Sequence, residues 1–389
     1  MNLLMISGDR SILAGKKGAF WYTLQELSKQ WERIDVLCPA APTPGPSPSS
    51  RETGEKRMKP LSPADGGKGL GIEGNVFFHP SPHGLWYQPA WILKKGKELS
   101  ADHPIDVMTV HEYPPFYNGM GARRLSRQTG IPIVLEIHHV VGYPVAGSFA
   151  ERIGVAMSRF LLPPACRRAA AVRVVNRATK DLLVSFGASG ENIRVVPSFY
   201  LDASLAALPL IGKRYDLVFA ARLAANKGLL SLLDAVRLLP GCTLAVVGEG
   251  LMLARAKERA QALGIVGRVS FLGWLPTQDE VMKVLRQGKV FVMNSTSEGG
   301  PRSALEAMAC GLPVVSTRVG AMPDVIENGK NGMFTSGTPE DLARILQPLL
   351  ADEALRARIG AEARKILQRF ERTTLVREYA EFLKSVVLP

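Results

Sequence analysis

Short apolar runs alternate along this chain with longer segments in which apolar residues return every three or four positions. MNLLMIS, RIDVLCP, NVFFHP, DVMTVH and IPIVLEIHH are continuous runs bounded by polar or turn residues, as in strands buried on both faces, while FWYTLQELSKQW carries a helical period. A second series follows residue 198: strand YDLVFAAR, helix GLLSLLDAVRLL, strand CTLAVVG, helix LMLARAKERAQAL, strand RVSFLGW, helix QDEVMKVLRQ, strand VFVMNS, helix SALEAMAC and strand PVVSTR. Strand and helix in alternation predict parallel sheets wrapped by helices, an α/β class. Two series predict two doubly wound, Rossmann-like units over residues 1–196 and 215–368, joined by a linker over 197–214 and followed by a closing helical segment over 369–389. Such sheets bind ligands at the carboxyl ends of their strands.

A length of 389 residues exceeds one ordinary core and agrees with two domains. Hydrophobic residues make up 46% and charged residues 21%, which excludes a disordered or fibrous chain. Residues 41–75, rich in Pro, Gly and Ser, interrupt the first series and are expected to form a long flexible loop. Cys38, Cys166, Cys242 and Cys310 lie far apart without CxxC or Cys/His spacing, so we expect reduced, buried thiols and no zinc site. The opening apolar run is too short for a secretory leader and no run is long enough to span a membrane, which points to a cytoplasmic protein.

The net charge of +13 is explained by a polyanionic partner, by an anionic surface or by a merely soluble basic face. Residues 1–200 hold 24 Lys and Arg against 16 Asp and Glu, and residues 201–389 hold 24 against 19, so the excess is larger in the first half. Lys94, Lys95 and Lys97, then Arg123, Arg124 and Arg127, then Arg167 and Arg168 form basic clusters without interleaved aromatics. That pattern ranks an anionic membrane surface, met peripherally at its inner face, above nucleic acid.

The most informative phrase is SEGGPRSALEAMACGLPVVS, from Ser297 to Ser316. Gly299 and Gly300 remove side chains that would keep a ligand off the backbone, and Pro301 suits the first position of a helix. The amides of Arg302, Ser303, Ala304 and Leu305 then point out of the helix start, where unpaired donors and the macrodipole favour phosphate. Glu298 and Glu306 flank that start. Carboxylates accept from hydroxyls better than they hold phosphate, so we expect a diphosphate on the amides, one glutamate on a sugar and the other on a ribose. Arg222 and Lys227 follow the strand YDLVFAA beside another helix start, where cations can neutralise a departing diphosphate.

The Glu298 to Glu306 phrase, with its tail EAMACGLPVV, resembles the E-x7-E signature of family 4 of the retaining glycosyltransferases, and Arg222 with Lys227 resembles its R-x4-K pair. The resemblance covers nearly the whole chain. It implies the GT-B architecture, two Rossmann-like domains facing across a cleft, with the closing helix packed back on the first domain. It implies donor contacts for Arg222, Lys227, Glu298 and Glu306, for the loop glycines Gly248 and Gly273 with Leu272 near the base, and for Gly15 and Gly18 after the first strand. His138, ending IVLEIH, matches a family histidine that holds the donor sugar; His139 replaces the usual acidic neighbour. Asn176 and the phrase VVPSFYLDAS also depart from the family pattern.

The implied activity is transfer of a sugar from a nucleotide sugar, such as a UDP- or GDP-sugar, to a glycan or lipid-linked acceptor with retention at the anomeric carbon. No D-x-D motif occurs, and the Arg/Lys pair can stand in for a divalent cation, so no metal is expected. A sugar-nucleotide epimerase, a sugar phosphorylase or a non-catalytic relative would also want phosphate-binding helix starts, but the paired glutamates argue for transfer. A nicotinamide dehydrogenase lacks its G-x-G-x-x-G after the first strand.

Overall fold

The structure, a computed structural model, describes residues 1–9, 12–14, 18–39, 74–202, 204 and 212–387. Gly15 and the stretch 41–75, apart from its last two residues, lie outside the described residues. The first sheet contains β1 (Asn2–Ile6), β2 (Arg33–Cys38), β3 (Val76–Pro80), β4 (Val107–His111), β5 (Ile133–Ile137), β6 (Ala171–Val174) and β7 (Ile193–Val195) in the order β3-β2-β1-β4-β5-β6-β7. The second contains β8 (Tyr215–Ala220), β9 (Leu244–Val247), β10 (Val269–Gly273), β11 (Gly288–Met293), β12 (Val314–Ser316) and β13 (Met333–Phe334) in the order β10-β9-β8-β11-β12-β13. All pairings within both sheets are parallel. The order reverses at β1/β4 and at β8/β11, which fixes where each crevice opens.

Each strand of the first sheet sends alternate residues to opposite faces. Leu4, Ile6, Met108 and Val110 pack under the helices Gln88–Asp102, Tyr117–Thr129 and Phe149–Arg168. Leu3, Met5 and Val36 face Ala19–Leu27, in an apolar cluster that continues through Phe199, Phe370 and Tyr379 into Phe291 and Met308 of the second domain. One apolar core therefore spans both domains.

The closing helix Arg372–Lys384 packs on Ala19–Leu27 of the first domain. It buries Leu375, Val376, Tyr379 and Leu383, and Glu371 caps its start by accepting from the amides of Thr373 and Thr374. The chain crosses between domains twice, and the crossings are tied together. Leu201 donates its amide to the Phe370 carbonyl (2.7 Å) and accepts from the Arg372 amide (3.1 Å), while the Arg372 guanidinium pairs with Asp202 at 2.9 Å. Among the described residues no helix is long and apolar enough to cross a membrane.

Candidate functional site

The second domain brings its charged residues to loops at the carboxyl ends of the two central strands. After β8 the chain passes exposed Arg222 and enters a short turn, Ala225–Lys227, before Gly228 opens the helix Leu229–Leu238. Gly228 has φ +67°, and a side chain there would meet the Asn294 carbonyl at 2.0 Å. That close approach fastens the β8 loop to the β11 loop. Lys227 Nζ, carried on the turn, forms a short ion pair with Glu298 Oε1, which also accepts from the Ser295 hydroxyl at 2.8 Å. Both partners are about one-seventh exposed, so the pair sits at the rim of the cleft rather than in the core.

The helix opened by the Gly-Gly-Pro turn runs Arg302–Ala309, with Pro301 as its N-cap instead of its first residue. The amides of Ala304 and Leu305 both donate to the Pro301 carbonyl (3.1 and 3.3 Å), and both residues are buried. Turning inward takes them out of the anion-binding set, and only Arg302 and Ser303 remain at the opening. Glu306 is buried one turn further in, where its Oε1 accepts from Arg302 Nε (2.8 Å) and Gln278 Nε2 (3.0 Å). Burial raises its pKa, against the pull of Arg302.

The two motif glycines make room for protein. A side chain at Gly300 would strike the Phe199 ring at 2.0 Å, and one at Gly299 would meet the His138 carbonyl at 2.9 Å. Both glycines also line the cavity between the domains, so close packing against His138 and Phe199 stands beside their place at that opening. The Gly299 carbonyl accepts from the Asn176 side chain (2.8 Å) and from the Ala321 amide (3.0 Å). Asn176 also caps the helix Arg177–Ser185, so the residue departing from the family pattern ties the domains together. Ser297 adds a second tie by donating its hydroxyl to the Tyr143 carbonyl at 2.8 Å.

Gly248 and Gly273 lie at the ends of β9 and β10, and the Gly248 amide donates to the Gly273 carbonyl at 2.8 Å. Gly248 has φ +122° and lies so close to the Ala221 carbonyl that a side chain would approach it to 2.0 Å. Tight backbone packing accounts for Gly248. The register of β10 slips between Phe271 and Gly273, which sets the Leu272 and Gly273 backbone at the strand's carboxyl end. In the first domain, Gly18 begins the helix Ala19–Leu27 in an extended conformation.

His138 follows β5 and is partly exposed. Its Nε2 lies 3.4 Å from Glu136 Oε2, and its ring is 4.3 Å from that of His111. Glu136 is buried in the strand, where Arg173 of β6 pairs with it at 3.1 Å and the Tyr379 hydroxyl of the closing helix donates a short bond. Arg173 also donates to the carbonyls of Val196 (3.0 Å) and Pro197 (2.7 Å), and its guanidinium stacks 3.6 Å from the Tyr379 ring centre. Burial alone would push Glu136 up; the Arg173 charge and the bonds from His138 and Tyr379 outweigh it and hold the carboxyl at about 2. Burial and the neighbouring His138 push His111 down to about 3, so it is neutral. This network escaped the sequence reading. A charge inside an apolar run, in VLEIHH and again in AVRVV, is the signal that could have found it, because a buried strand tolerates a charge only with a partner.

A cavity of about 280 Å³ between the domains is lined by His138, His139, Phe199, Glu298, Gly300 and Arg302, among others. The structure thus unites His138 with the Glu298 loop. Lys227 reaches the cavity through Glu298, and Arg222, Gly248 and Leu272 lie outside its lining. Among the described residues no three His, Cys, Asp or Glu side chains gather to hold a metal ion.

Two parallel sheets meeting at a glutamate-flanked helix start define a two-domain GT-B protein. Residues 20–200 match the family described as Glycosyltransferase Family 4 and residues 202–366 match Glycosyl transferases group 1; the chain belongs to these glycosyltransferases. The lipopolysaccharide core biosynthesis glycosyltransferase LpsE of Rhizobium meliloti (strain 1021) is 35% identical over 166 residues, covering 42% of this chain and 48% of that protein. The sulfoquinovosyl transferase SQD2 of Arabidopsis thaliana is 30% identical over 282 residues, covering 67% of this chain and 53% of that protein, so the match spans about half the length of each. Anabaena Alr3699/HepE, solved in complex with UDP, superposes with a TM-score of 0.70 at 22% identity over 99% of this chain and 100% of that one, a likeness of fold.

Proposed function

We propose that this protein is a retaining glycosyltransferase that moves a sugar from a nucleoside-diphosphate donor to a hydroxyl of a glycan or lipid-linked acceptor. The observation that carries the proposal is the Lys227–Glu298 pair beside the start of helix Arg302–Ala309, which sets a cation and a hydroxyl-accepting carboxylate at one anion-binding helix end. The diphosphate rests on the Arg302 and Ser303 amides, with Arg222 and Lys227 neutralising its charge as it departs. Glu298 and His138 take hydroxyls of the donor sugar. Glu306, with Oε1 held by Arg302 and Gln278, offers Oε2 to the ribose. The base meets the backbone at Leu272 and Gly273.

In the reacting step the bond from the anomeric carbon to the diphosphate oxygen breaks, and the acceptor oxygen bonds that carbon on the same face. The departing diphosphate oxygen takes the acceptor's proton, so configuration is kept. The cationic pair serves in place of a divalent metal. The UDP held by the HepE neighbour supports a uridine donor, and the lipopolysaccharide core biosynthesis role of LpsE supports an envelope acceptor met at the inner face of a membrane.

Thermal stabilisation by UDP-, GDP- and ADP-sugars, followed by NMR of the product linkage, tests the reading. The true donor at a hundredfold its Kd adds about 2.7 kcal/mol, and the product keeps the donor's anomeric configuration. Epimers formed without acceptor, or an inverted product, would refute it.

A further inference from the structure

The helix Phe149–Arg168 covers the first sheet with one side and leaves the other bare. Phe149 is 77% exposed, Phe160 75% and Ile153 46%. With Ala156 they fall at i, i+4, i+7 and i+11, a single line about 16 Å long. Ser158, Leu162, Ala165 and Cys166 are buried on the sheet side. Exposed Arg152 and Arg159 run beside the apolar line, and exposed Arg167 continues it. Glu151 is turned away, accepting from the Gly147 amide at 2.7 Å. In the loop ahead of the helix, Val145 is 55% exposed. The helices Gln88–Asp102 and Tyr117–Thr129 lie on the same face of the sheet and add exposed Lys94, Lys97, Arg124 and Arg127.

We propose that this helix face docks on an anionic lipid bilayer, with Phe149, Ile153 and Phe160 at the boundary of headgroups and acyl chains and Arg152, Arg159 and Arg167 on lipid phosphates. The charge selects this occupant. A second copy meeting the face symmetrically would set arginines against arginines, and nucleic acid would leave the phenylalanines in water. A bilayer satisfies both the apolar line and its basic border. The helix begins at Ser148, on the cleft side of β5, and the preceding loop supplies the Tyr143 carbonyl that Ser297 bonds. The cleft consequently opens beside the docked membrane, where a lipid-linked acceptor can reach it. That last consequence rests on the transferase reading; the docking does not.

Sedimentation with vesicles of phosphatidylcholine, with and without phosphatidylglycerol, tests the proposal. The protein is expected to pellet with the anionic vesicles at low salt and to be released by high salt. Phe149→Ser with Phe160→Ser lowers partitioning by about tenfold or more, and Arg152→Gln with Arg159→Gln removes much of the salt-sensitive part. Val266→Ser, which deletes a 58% exposed side chain from the second domain, leaves binding unchanged. All of these variants keep the melting temperature and the solution transfer activity of the parent, so loss of docking and failure of the transferase reading give different results. Equal sedimentation of parent and Phe149→Ser/Phe160→Ser protein, or equal binding to neutral and anionic vesicles, would overturn it. So would a dimer in analytical ultracentrifugation that the double phenylalanine variant converts to monomer.

Discussion

Both sheets reverse their order between the first and fourth strands, yet the first domain sets Glu136 and Arg173 inside β5 and β6 while the second sets Arg222, Lys227 and Glu298 on loops beyond β8 and β11. In the first domain the buried carboxylates Glu136 and Asp35 are satisfied by protein. Arg173 and Tyr379 hold Glu136, and Asp35 is held by Arg33 (2.8 Å), His79 (2.7 Å) and His103 (2.9 Å). Arg222 in the second domain bonds no described side chain and is exposed, and Lys227 is at the rim. The same topology therefore uses charge for two purposes. Buried charges knit the first domain to the closing helix, and loop charges of the second domain stand where the proposed donor would lie.

The sharpest way to break this contrast is to remove one charge from each side. Arg173→Met leaves Glu136 buried without its cation and is expected to cost about 3–5 kcal/mol of stability in urea unfolding. Arg222→Ala and Lys227→Ala should instead lower kcat by about 10²–10³-fold while changing stability by no more than about 1 kcal/mol. Equal stability losses on the two sides would erase the distinction.

Glu112, at the end of β4, sharpens the comparison through pH. Its Oε1 accepts from the Gly119 amide at 3.2 Å, but Oε2 meets Arg123 only at 3.5 Å and makes no hydrogen bond. Burial, only partly offset by Arg123, raises its pKa to about 7 from an ordinary 4.5. The folded state thus binds a proton that the unfolded state has released, and the resulting stability is present below pH 4.5 and lost as pH rises toward 7. Relative to Glu112→Gln, the parent should lose on the order of 1–3 kcal/mol across that window; parallel pH profiles would reject the assignment. An effect of similar size is expected of Tyr379→Phe, which removes one bond to a charged carboxylate and should cost about 1.5–3 kcal/mol before the remaining partners relax. A larger Km or kcat change than stability change in that variant would show the network acting on His138 as well as on the fold.

The sheets, the paired glutamates and the cation pair were legible because each depends on local pattern: apolar runs, a Gly-Gly-Pro turn, charges just past a strand. The packing of Gly299 and Gly300 was not, since it depends on His138 arriving from the other domain and Phe199 from the linker. Asn176 was invisible for the same reason, its partner being the Gly299 carbonyl. The amides of Ala304 and Leu305 were misjudged because both donate back to the Pro301 carbonyl, a bond set by the backbone of the first helical turn and not by residue type. The basic clusters could be counted in sequence, but only the fold puts their helices on one face of a sheet beside exposed Phe149 and Phe160.

The central claim is that the second domain's loop cations and helix start hold the donor diphosphate without a metal. Calorimetric titration of UDP, GDP and ADP into the protein in EDTA, repeated with Lys227→Ala, tests it most directly. The account predicts that one of these diphosphates binds in EDTA and that its Kd rises about tenfold or more in the variant, the loss of a charge-assisted bond. Binding that requires added Mg²⁺ or Mn²⁺, or an unchanged Kd in Lys227→Ala, would contradict it.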